Sequence, residues 1–376
     1  MADLHTSPFH KFHEQHGGKF VDFAGWNMPL HYGSVIAEHE QCRTSGALFD
    51  VSHMGRIEVK GRHARKFLET VLTRKVSDME VKQCRYALVC NEQGGVLDDV
   101  LVYRFDNHWL LVVNAANRMK LWAHFHAVAD EQDLTVKLDD LTTSTAMIAI
   151  QGPKVMEQIG KFSKEIPTLK NYRFTLKNLM ILKMTVSRTG YTGEDGVEIM
   201  MGANMAGMAV KLLLKDASAD DAVIKPAGLG ARDSLRLEAG MPLYGHELSE
   251  DLDPLSAGLK FAVSLDKHEA VEGQPPVPRF IGQDALEKIA TAPPKQLIGL
   301  HVDGKRTPRQ DADVMKGDAS IGIVTSGCAS PTLGHPIAMA YVPRDSVDIG
   351  ETIQVAVGAT YADAQVVKLP FYTRGS

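Results

Sequence analysis

The sequence of 376 residues lacks the usual marks of a membrane, secreted or nucleic-acid-binding protein. No run of about 18 consecutive apolar residues occurs, so the sequence predicts no transmembrane helix. The formal net charge is -5, which is not the basic excess expected of a protein that binds nucleic acid or a membrane surface. The first twenty residues contain no apolar core and no Arg-rich amphipathic pattern, so we expect neither a secretory signal nor a transit peptide.

Cysteine is scarce and shows no pairing pattern. The four cysteines, Cys42, Cys84, Cys90 and Cys328, form no Cys-x-x-Cys pair and have no zinc-finger spacing. We therefore expect reduced thiols in a reducing compartment, and nothing supports a catalytic cysteine. The fifteen histidines are scattered without a His-Glu-x-x-His pattern, so the sequence predicts no metal site.

Glycine-rich phosphate loops are also missing, because neither Gly-x-Gly-x-x-Gly nor Gly-Lys-Ser/Thr occurs. The hydrophobic fraction of 44% and the charged fraction of 23% are those of an ordinary enzyme, long enough for two or three domains. A stretch rich in proline and glycine at residues 267–280 predicts a boundary. Short strands and turns beyond it, including a turn-rich loop at 325–334, predict a separate β-rich domain.

A pair of adjacent aspartates lies inside an apolar strand. The segment Gly94–Tyr103 is rich in Val and Leu, and side chains alternate between the two faces of a strand, so Asp98 and Asp99 should point in opposite directions. At least one carboxylate should then lie where an unpaired charge is costly. It either meets a protonatable ligand, or one aspartate closes the Gly-Gly turn while the other is solvated. The segment alone leaves both interpretations open.

A glycine-rich acidic turn occupies residues 187–198 and allows close approach of a ligand to the backbone. The carboxylates of Glu194, Asp195 and Glu198 would repel phosphate but suit a ligand with N–H donors. A carboxylate accepts two parallel N–H bonds from a guanidine-like group, such as the edge of a pterin or purine. An ordinary acidic hairpin turn explains the same residues.

A helix is predicted over Leu229–Ala239, where a glycine follows as the expected stop signal. Arg232 and Arg236 lie four residues apart on one face and could clamp a carboxylate. Structural ion pairs with Glu238 or Asp195 are the alternative, and the helix alone does not decide between them.

Motifs of one family stand in order along the sequence. They are Val21–Trp26, Met28–Leu30, Phe49–Met54, Gly94–Gly95 with Asp98–Asp99, Val113–Ala115, Gln151–Pro153, Thr189–Glu194, Gly230–Asp233 with Arg236–Glu238, Thr325–Gly327 and Ser330–Gly334. With these motifs the chain resembles the T proteins of the glycine cleavage system, which are tetrahydrofolate-dependent aminomethyltransferases. Any one motif is weak, but the ordered series spans nearly the whole chain and is highly specific.

The resemblance implies an α+β fold with three domains arranged like a cloverleaf around a central opening. It implies a discontinuous folate-binding domain 1 over residues 1–53 and 142–274, and an inserted domain 2 over residues 54–141. A C-terminal β-barrel domain is implied over residues 275–376, which agrees with the boundary predicted near residue 275.

The resemblance also implies a reaction. The methylene carbon of an aminomethyl group on dihydrolipoyl-H protein passes to tetrahydrofolate, giving 5,10-methylene-tetrahydrofolate and ammonia, and no metal is required. Lipoylated H protein would be the partner, without nucleic acid or membrane, and the enzyme would be a monomer. Its location would be the bacterial cytoplasm, or the mitochondrial matrix if a presequence has been removed.

The resemblance assigns roles to individual residues. Asp99 is implied as the catalytic carboxylate that stabilises a cationic carbon and holds the folate N10 nitrogen in line. The implied folate-binding residues are Tyr86, Asn114, Tyr191, Glu198 and Arg232. The family tail varies, and Arg374 is only a candidate for binding the glutamate moiety of folate.

Three alternatives remain at this point. Relatives on the same fold demethylate small donors, such as dimethylsulfoniopropionate or methoxy-aromatic compounds, onto tetrahydrofolate. Other relatives are fused to a flavin amine oxidase, which the missing dinucleotide loop and the chain length argue against. A non-enzymatic folate-binding protein is the third, and the joint presence of Asp99, Glu198 and Arg232 argues against it.

Overall fold

The computed structural model describes residues 4–179, 182–213, 219, 221–269 and 276–375. The boundary predicted at 267–280 therefore falls partly outside the described residues. In chain order the strands are β1 (His5–Thr6), β2 (Lys19–Phe23), β3 (Trp26–His31), β4 (Gly46–Asp50), β5 (Gly55–Lys60), β6 (Cys84–Cys90), β7 (Val96–Arg104), β8 (Trp109–Val113), β9 (Lys137–Asp140), β10 (Thr145–Gln151), β11 (Phe174–Leu179), β12 (Leu182–Ser187), β13 (Gly196–Gly202), β14 (Ile224–Pro226), β15 (Lys295–Val302), β16 (Asp313–Lys316), β17 (Ala319–Ala329), β18 (Pro336–Pro343), β19 (Thr352–Val357) and β20 (Thr360–Val367). The α-helices are α1 (His10–Gln15), α2 (Val35–Thr44), α3 (Ala64–Val71), α4 (Arg118–Glu131), α5 (Val155–Gly160), α6 (Ala206–Leu213), α7 (Leu229–Glu238) and α8 (Gln283–Thr291). Among these helices, none is both long and apolar enough to cross a membrane.

The strands form three open sheets and a barrel. A six-stranded sheet has the order β11-β12-β13-β10-β4-β14, a five-stranded sheet has the order β6-β7-β8-β5-β9, and β1-β3-β2 form a small third sheet. The barrel closes in the order β15-β18-β17-β16-β19-β20. The predicted α+β class and the C-terminal barrel are therefore confirmed.

The two large sheets share a core because their strands are apolar on both faces. In β10, Ala146, Ile148 and Ile150 pack into one cluster, while Met147 and Ala149 face another. The second cluster also contains buried side chains of the five-stranded sheet and of α7, namely Cys84, Tyr103, Leu110, Val112, Ala231 and Leu235. This contact fixes the ends of β7 and β8 relative to β13 and α7.

Local sequence signals place the helices near their predicted positions. Helix α2 begins after Ser34, whose hydroxyl accepts the N–H of Ala37 at 3.3 Å as an N-cap. Helix α7 ends before Gly240, whose φ of 62° favours glycine. The predicted helix at 229–239 is thus confirmed to within one residue at each end.

The predicted turn-rich loop at 325–334 is wrong over its first half. Strand β17 continues to Ala329, and its pairing with β18 places Gly327 opposite Ala338. Small residues suggested a turn here, yet a β-carbon on Gly327 would lie 2.4 Å from the carbonyl oxygen of Pro308. The glycine serves close packing within the barrel rather than a turn.

A buried ionic network ties α2 and α7 to the barrel. The Glu238 carboxylate lies 3.1 Å from Nε2 of His39 and 2.8 Å from Nη2 of Arg43, and it accepts the backbone N–H of Thr332 at 3.1 Å. Burial by itself raises the pKa of Glu238. The hydrogen bonds from His39 and from the hydroxyls of Ser330 and Thr332 outweigh this effect and lower the pKa to about 2. The network therefore holds Glu238 ionised and α7 against the barrel.

Glu238→Gln is expected to lower the free energy of unfolding by about 3 kcal/mol at pH 7, because it leaves the buried guanidinium of Arg43 without the Glu238 carboxylate. The folded-state pKa lies below the usual 4.5, so the contribution of Glu238 is present above pH 4.5 and is lost as the pH falls towards 2. Urea unfolding at pH 7, 5 and 3 should show that the free energy of unfolding decreases less with falling pH in the variant than in the wild type. Glu165→Gln removes a carboxylate that is 52% exposed and should cost less than about 1 kcal/mol. Equal losses in the two variants would contradict this role for Glu238.

Candidate active site

A cavity of about 500 Å³ lies where β7, β8, β13, α7 and the β2–β3 hairpin meet. Its lining is largely apolar and aromatic, with a small number of ionisable groups, as is typical of small-molecule sites. All six site residues predicted from the sequence line it, namely Tyr86, Asp99, Asn114, Tyr191, Glu198 and Arg232. The fold thus brings together residues that are distant in sequence.

The carboxylate of Asp99 lies at the cavity wall and is held from two sides. Its Oδ1 accepts a hydrogen bond from Nδ2 of Asn114 at 2.7 Å, and its Oδ2 accepts one from the hydroxyl of Tyr86 at 3.1 Å. Asn114 directly follows β8, which pairs with β7 in the register Leu101 to Val112, so Asn114 lies opposite Asp99. The ring of Tyr86 stacks on Phe261 at 6.0 Å. Asp99 is therefore a fixed group rather than a mobile one.

Asp98 lies behind Asp99 and is 0% exposed. It accepts the backbone N–H of Asn114 at 2.9 Å, Nδ2 of Asn114 at 2.8 Å and Nδ2 of Asn117 at 2.6 Å. The interpretation of one solvated and one turn-closing aspartate is wrong, since the turn is closed by Asn91, which accepts the N–H of Gly95 at 2.9 Å. Each of the two carboxylates is paired with amide N–H groups.

Burial raises the pKa of both aspartates, because an ionised carboxylate is costly without water. The charge of Asp99 raises the pKa of Asp98 further, while the N–H bonds from Asn114 and Asn117 oppose the shift. The two carboxyl groups therefore titrate as a pair. Burial and the neighbouring Asp99 also raise the pKa of Tyr86, which keeps its hydroxyl protonated as a donor.

Glu198 presents a second carboxylate to the cavity from β13, where it is 5% exposed. The hydroxyl of Thr189 donates to its Oε2 at 2.5 Å, and no described residue donates to its Oε1. Burial raises its pKa, and the Thr189 bond and the charge of Arg232 lower it. A free acceptor oxygen in an enclosed site suits a ligand that brings its own N–H donors.

Arg232 lies close enough to Glu198 to influence its charge but forms no hydrogen bond with it. Its guanidinium carbon is 4.8 Å from the ring centre of Tyr191, whose hydroxyl donates to the carbonyl of Pro242 at 2.5 Å. Its Nη1 is buried without a partner among the described residues. Burial lowers the pKa of Arg232, but the group stays protonated and has an N–H free for a ligand.

The other carboxylates of the acidic turn are already occupied. Glu194 pairs with an arginine of α2 at 3.0 Å, and Asp195 pairs with Arg188 at 2.6 Å. Arg374, the candidate tail residue, lies 3.2 Å from Asp195 and is not part of the cavity lining. Of the three acidic side chains in the turn, only Glu198 is available to a ligand.

The predicted clamp of two arginines on α7 is wrong for Arg236. Its guanidinium binds Asp233 at 2.8 Å, Glu247 at 2.9 Å and Ser326 at 2.8 Å, so its donors are used inside the protein. Neither of the predicted structural partners is used, because the fold brings Glu247 from a later segment. Every guanidinium nitrogen of Arg236 has a partner, whereas Nη1 of Arg232 has none among the described residues.

Some residues that line the cavity were not predicted from the sequence. His53 is 3% exposed, its Nδ1 has no partner among the described residues, and burial lowers its pKa to about 4. It belongs to the motif Phe49–Met54, which could have signalled it. Tyr172 and Phe261 also line the cavity, but Tyr172 lies in a turn and Phe261 in the short 3-10 helix Lys260–Ala262, and neither segment carries a recognisable signal.

The family of the chain follows from sequence comparison. Residues 9–267 match the model of the GCVT N-terminal domain, and residues 295–373 match that of the glycine cleavage T-protein C-terminal barrel domain. The chain belongs to the glycine cleavage T-protein family. The barrel assigned to the second model is the closed barrel of β15–β20.

Individual relatives of this T-protein family member are similar to it over all or nearly all of their length. The aminomethyltransferase of Saccharopolyspora erythraea is 41% identical over 380 residues, covering 100% of both chains. That of Rubrobacter xylanophilus is 42% identical over 99% of this chain and 95% of its own. The crystal structure of glycine cleavage system aminomethyltransferase T from Bartonella henselae superposes with a TM-score of 0.87 at 31% identity, covering 98% of each chain.

Proposed function

We propose that this protein is the aminomethyltransferase of a glycine cleavage system. It transfers the methylene carbon of the aminomethyl group on dihydrolipoyl-H protein to tetrahydrofolate, giving 5,10-methylene-tetrahydrofolate and ammonia. The observation that carries the proposal is the single cavity in which Asp99, Glu198 and Arg232 meet, in a chain of this family. The full-length similarity to aminomethyltransferases supports the same conclusion.

The lining fits a folate. The free Oε1 of Glu198 is placed to accept N–H groups of the pterin edge, and the unpartnered Nη1 of Arg232 is placed to donate to an oxygen of the ligand. Tyr191 and Tyr86 offer aromatic surface for a flat ring. Tetrahydrofolate supplies the two nitrogen atoms that take the carbon, and the protein supplies binding and orientation.

Asp99 acts at the reacting carbon. Loss of ammonia from an S–CH2–NH3+ group leaves a cationic, iminium-like carbon, which a fixed carboxylate stabilises. The bonds from Tyr86 and Asn114 hold the Asp99 carboxylate in place before the reaction, so little reorganisation is needed. The largely apolar lining lowers the polarity around this charge, which strengthens the interaction.

We propose three domains, whose bounds are supported by the way the strands group into sheets. Domain 2 comprises residues 54–141, since every strand of the five-stranded sheet lies within them. Domain 1 comprises 1–53 and 142–274, supported by the pairing of β4 with β10 and β14. The C-terminal domain comprises 275–376. We also propose a monomer acting in the bacterial cytoplasm or the mitochondrial matrix, with lipoylated H protein as its partner.

The proposal predicts a ranking of one-carbon donors. Aminomethyl-loaded H protein should give methylene-tetrahydrofolate readily, and free aminomethyl-dihydrolipoamide should react about 100-fold less efficiently, because the partner protein supplies effective concentration. Dimethylsulfoniopropionate should give no product. The measurement is the rate of methylene-tetrahydrofolate formation at equal donor concentrations. Demethylation of the sulfonium or of a methoxy compound, with no reaction from H protein, would assign the chain to the demethylases of the same fold.

A further inference from the structure

The side-chain amide of Asn114 can be oriented from chemistry alone. Its Nδ2 lies 2.8 Å from Oδ1 of Asp98 and 2.7 Å from Oδ1 of Asp99. Rotating the amide by 180° would place Oδ1 of Asn114 against two acceptor oxygens, which is electrostatically unfavourable. The backbone N–H of Asn114 also donates to Asp98 at 2.9 Å, so the residue is held at two points.

This orientation leaves Oδ1 as the unused atom of the amide. No described residue donates to it, it is not among the fully buried unpaired atoms, and Asn114 lines the cavity. Both N–H groups of the amide are occupied, so towards a ligand Asn114 acts only as an acceptor. The cavity wall therefore carries an amide oxygen directly beside the Asp99 carboxylate.

We propose that Oδ1 of Asn114 and the carboxylate of Asp99 together bind the primary ammonium group of the one-carbon donor, which makes Asn114 a specificity-determining residue. The inference rests on the proposed aminomethyl transfer. An ammonium group brings three N–H donors and a positive charge, and two adjacent acceptors of which one is ionised match it. A sulfonium methyl or a methoxy group has no N–H donor and leaves the amide oxygen without a partner.

Asp98 acts as a positioning residue in this arrangement. It does not line the cavity and is 0% exposed, so it reaches the donor only through the Asn114 amide. An N–H group of tetrahydrofolate shares the hydrogen-bond chemistry of the ammonium group and could occupy the same oxygen. The experiment must therefore measure the binding affinities of a donor analogue and of tetrahydrofolate separately.

Two stable thioethers of nearly equal size can distinguish recognition of the ammonium charge from recognition of the shape of the donor. S-(2-aminoethyl)-dihydrolipoamide carries an ammonium group, and S-propyl-dihydrolipoamide carries a methyl group in its place. We expect the wild-type protein, saturated with tetrahydrofolate, to bind the first about 10-fold more tightly or better, measured by calorimetry. Equal affinities in the wild type would overturn the proposal without any variant being made.

Asn114→Ala then tests the residue itself. The preference for the aminoethyl over the propyl compound should fall by about 10-fold. Tetrahydrofolate affinity should change by less than about 3-fold, because this proposal assigns the amide oxygen of Asn114 to the donor and not to folate, the ligand that the resemblance implied for Asn114. A loss of affinity confined to tetrahydrofolate would mean that the amide oxygen of Asn114 accepts from folate N–H groups instead of the donor. A retained preference would remove Asn114 from donor recognition.

Asn117→Ala is the matched control. Asn117 donates to the same Oδ1 of Asp98 at 2.6 Å but does not line the cavity, so its loss should lower the melting temperature and leave the preference within about 3-fold. Equal loss of preference in both alanine variants would mean that Asn114 acts only through packing. Failure of the proposed function is a separate result, since it would appear as no product from wild-type protein with aminomethyl-loaded H protein.

Discussion

Asp99→Asn is expected to lower turnover by about 100-fold or more while leaving tetrahydrofolate binding largely intact. The substitution keeps the size of the side chain and removes the charge that faces the cationic carbon. Its Oδ1 can still accept from Nδ2 of Asn114, so the geometry at 2.7 Å can survive. Turnover with aminomethyl-loaded H protein and tetrahydrofolate affinity by calorimetry are the two measurements.

Asp98→Asn is the comparison for this prediction. Asp98 is fully buried and accepts three N–H bonds, so its loss should lower the melting temperature more than Asp99→Asn does. Its effect on turnover of the folded protein should be smaller, because it reaches the site only through Asn114. A larger loss of turnover from Asp98→Asn at matched folding stability would reverse the roles of the two aspartates.

Glu198→Gln is expected to weaken tetrahydrofolate binding by about 2–3 kcal/mol, which corresponds to roughly 30- to 150-fold in affinity. The amide replaces one acceptor oxygen by an N–H donor, which would face a pterin N–H in an enclosed site. Thr189 can still donate to the remaining oxygen, so the fold of the turn should persist. Calorimetric titration with tetrahydrofolate measures the effect.

Asp195→Asn provides the matched control for Glu198. The two carboxylates lie on the same turn, but Asp195 pairs with Arg188 outside the cavity and should alter affinity by less than about 3-fold. Unchanged affinity in Glu198→Gln would exclude Glu198 from the folate site. Equal losses in both variants would indicate a general effect of the turn rather than a contact with the ligand.

Much of the cavity could be anticipated because ordered motifs identified the family, and those motifs carry the polar groups of the site. The strand pattern around Asp99 also predicted that the two aspartates differ in environment. The segment could not show that both carboxylates accept hydrogen bonds from side chains, because their amide partners Asn114 and Asn117 come from beyond β7. Exposure of a polar side chain depends on what packs over it, and local sequence does not report this.

The sequence by itself determined the local elements. The apolar segment around Asp99 and the glycine after α7 placed strand β7 and helix α7 within a residue or two, since these signals act over a few neighbouring positions. Only the tertiary structure decided which charges were free for a ligand. It joined Arg236 to Glu247 and paired Asp195 with Arg188, while Glu198 and Arg232 kept an unused acceptor and donor. Ion pairs form between groups that folding brings within a few ångströms, and separation in sequence does not fix that distance.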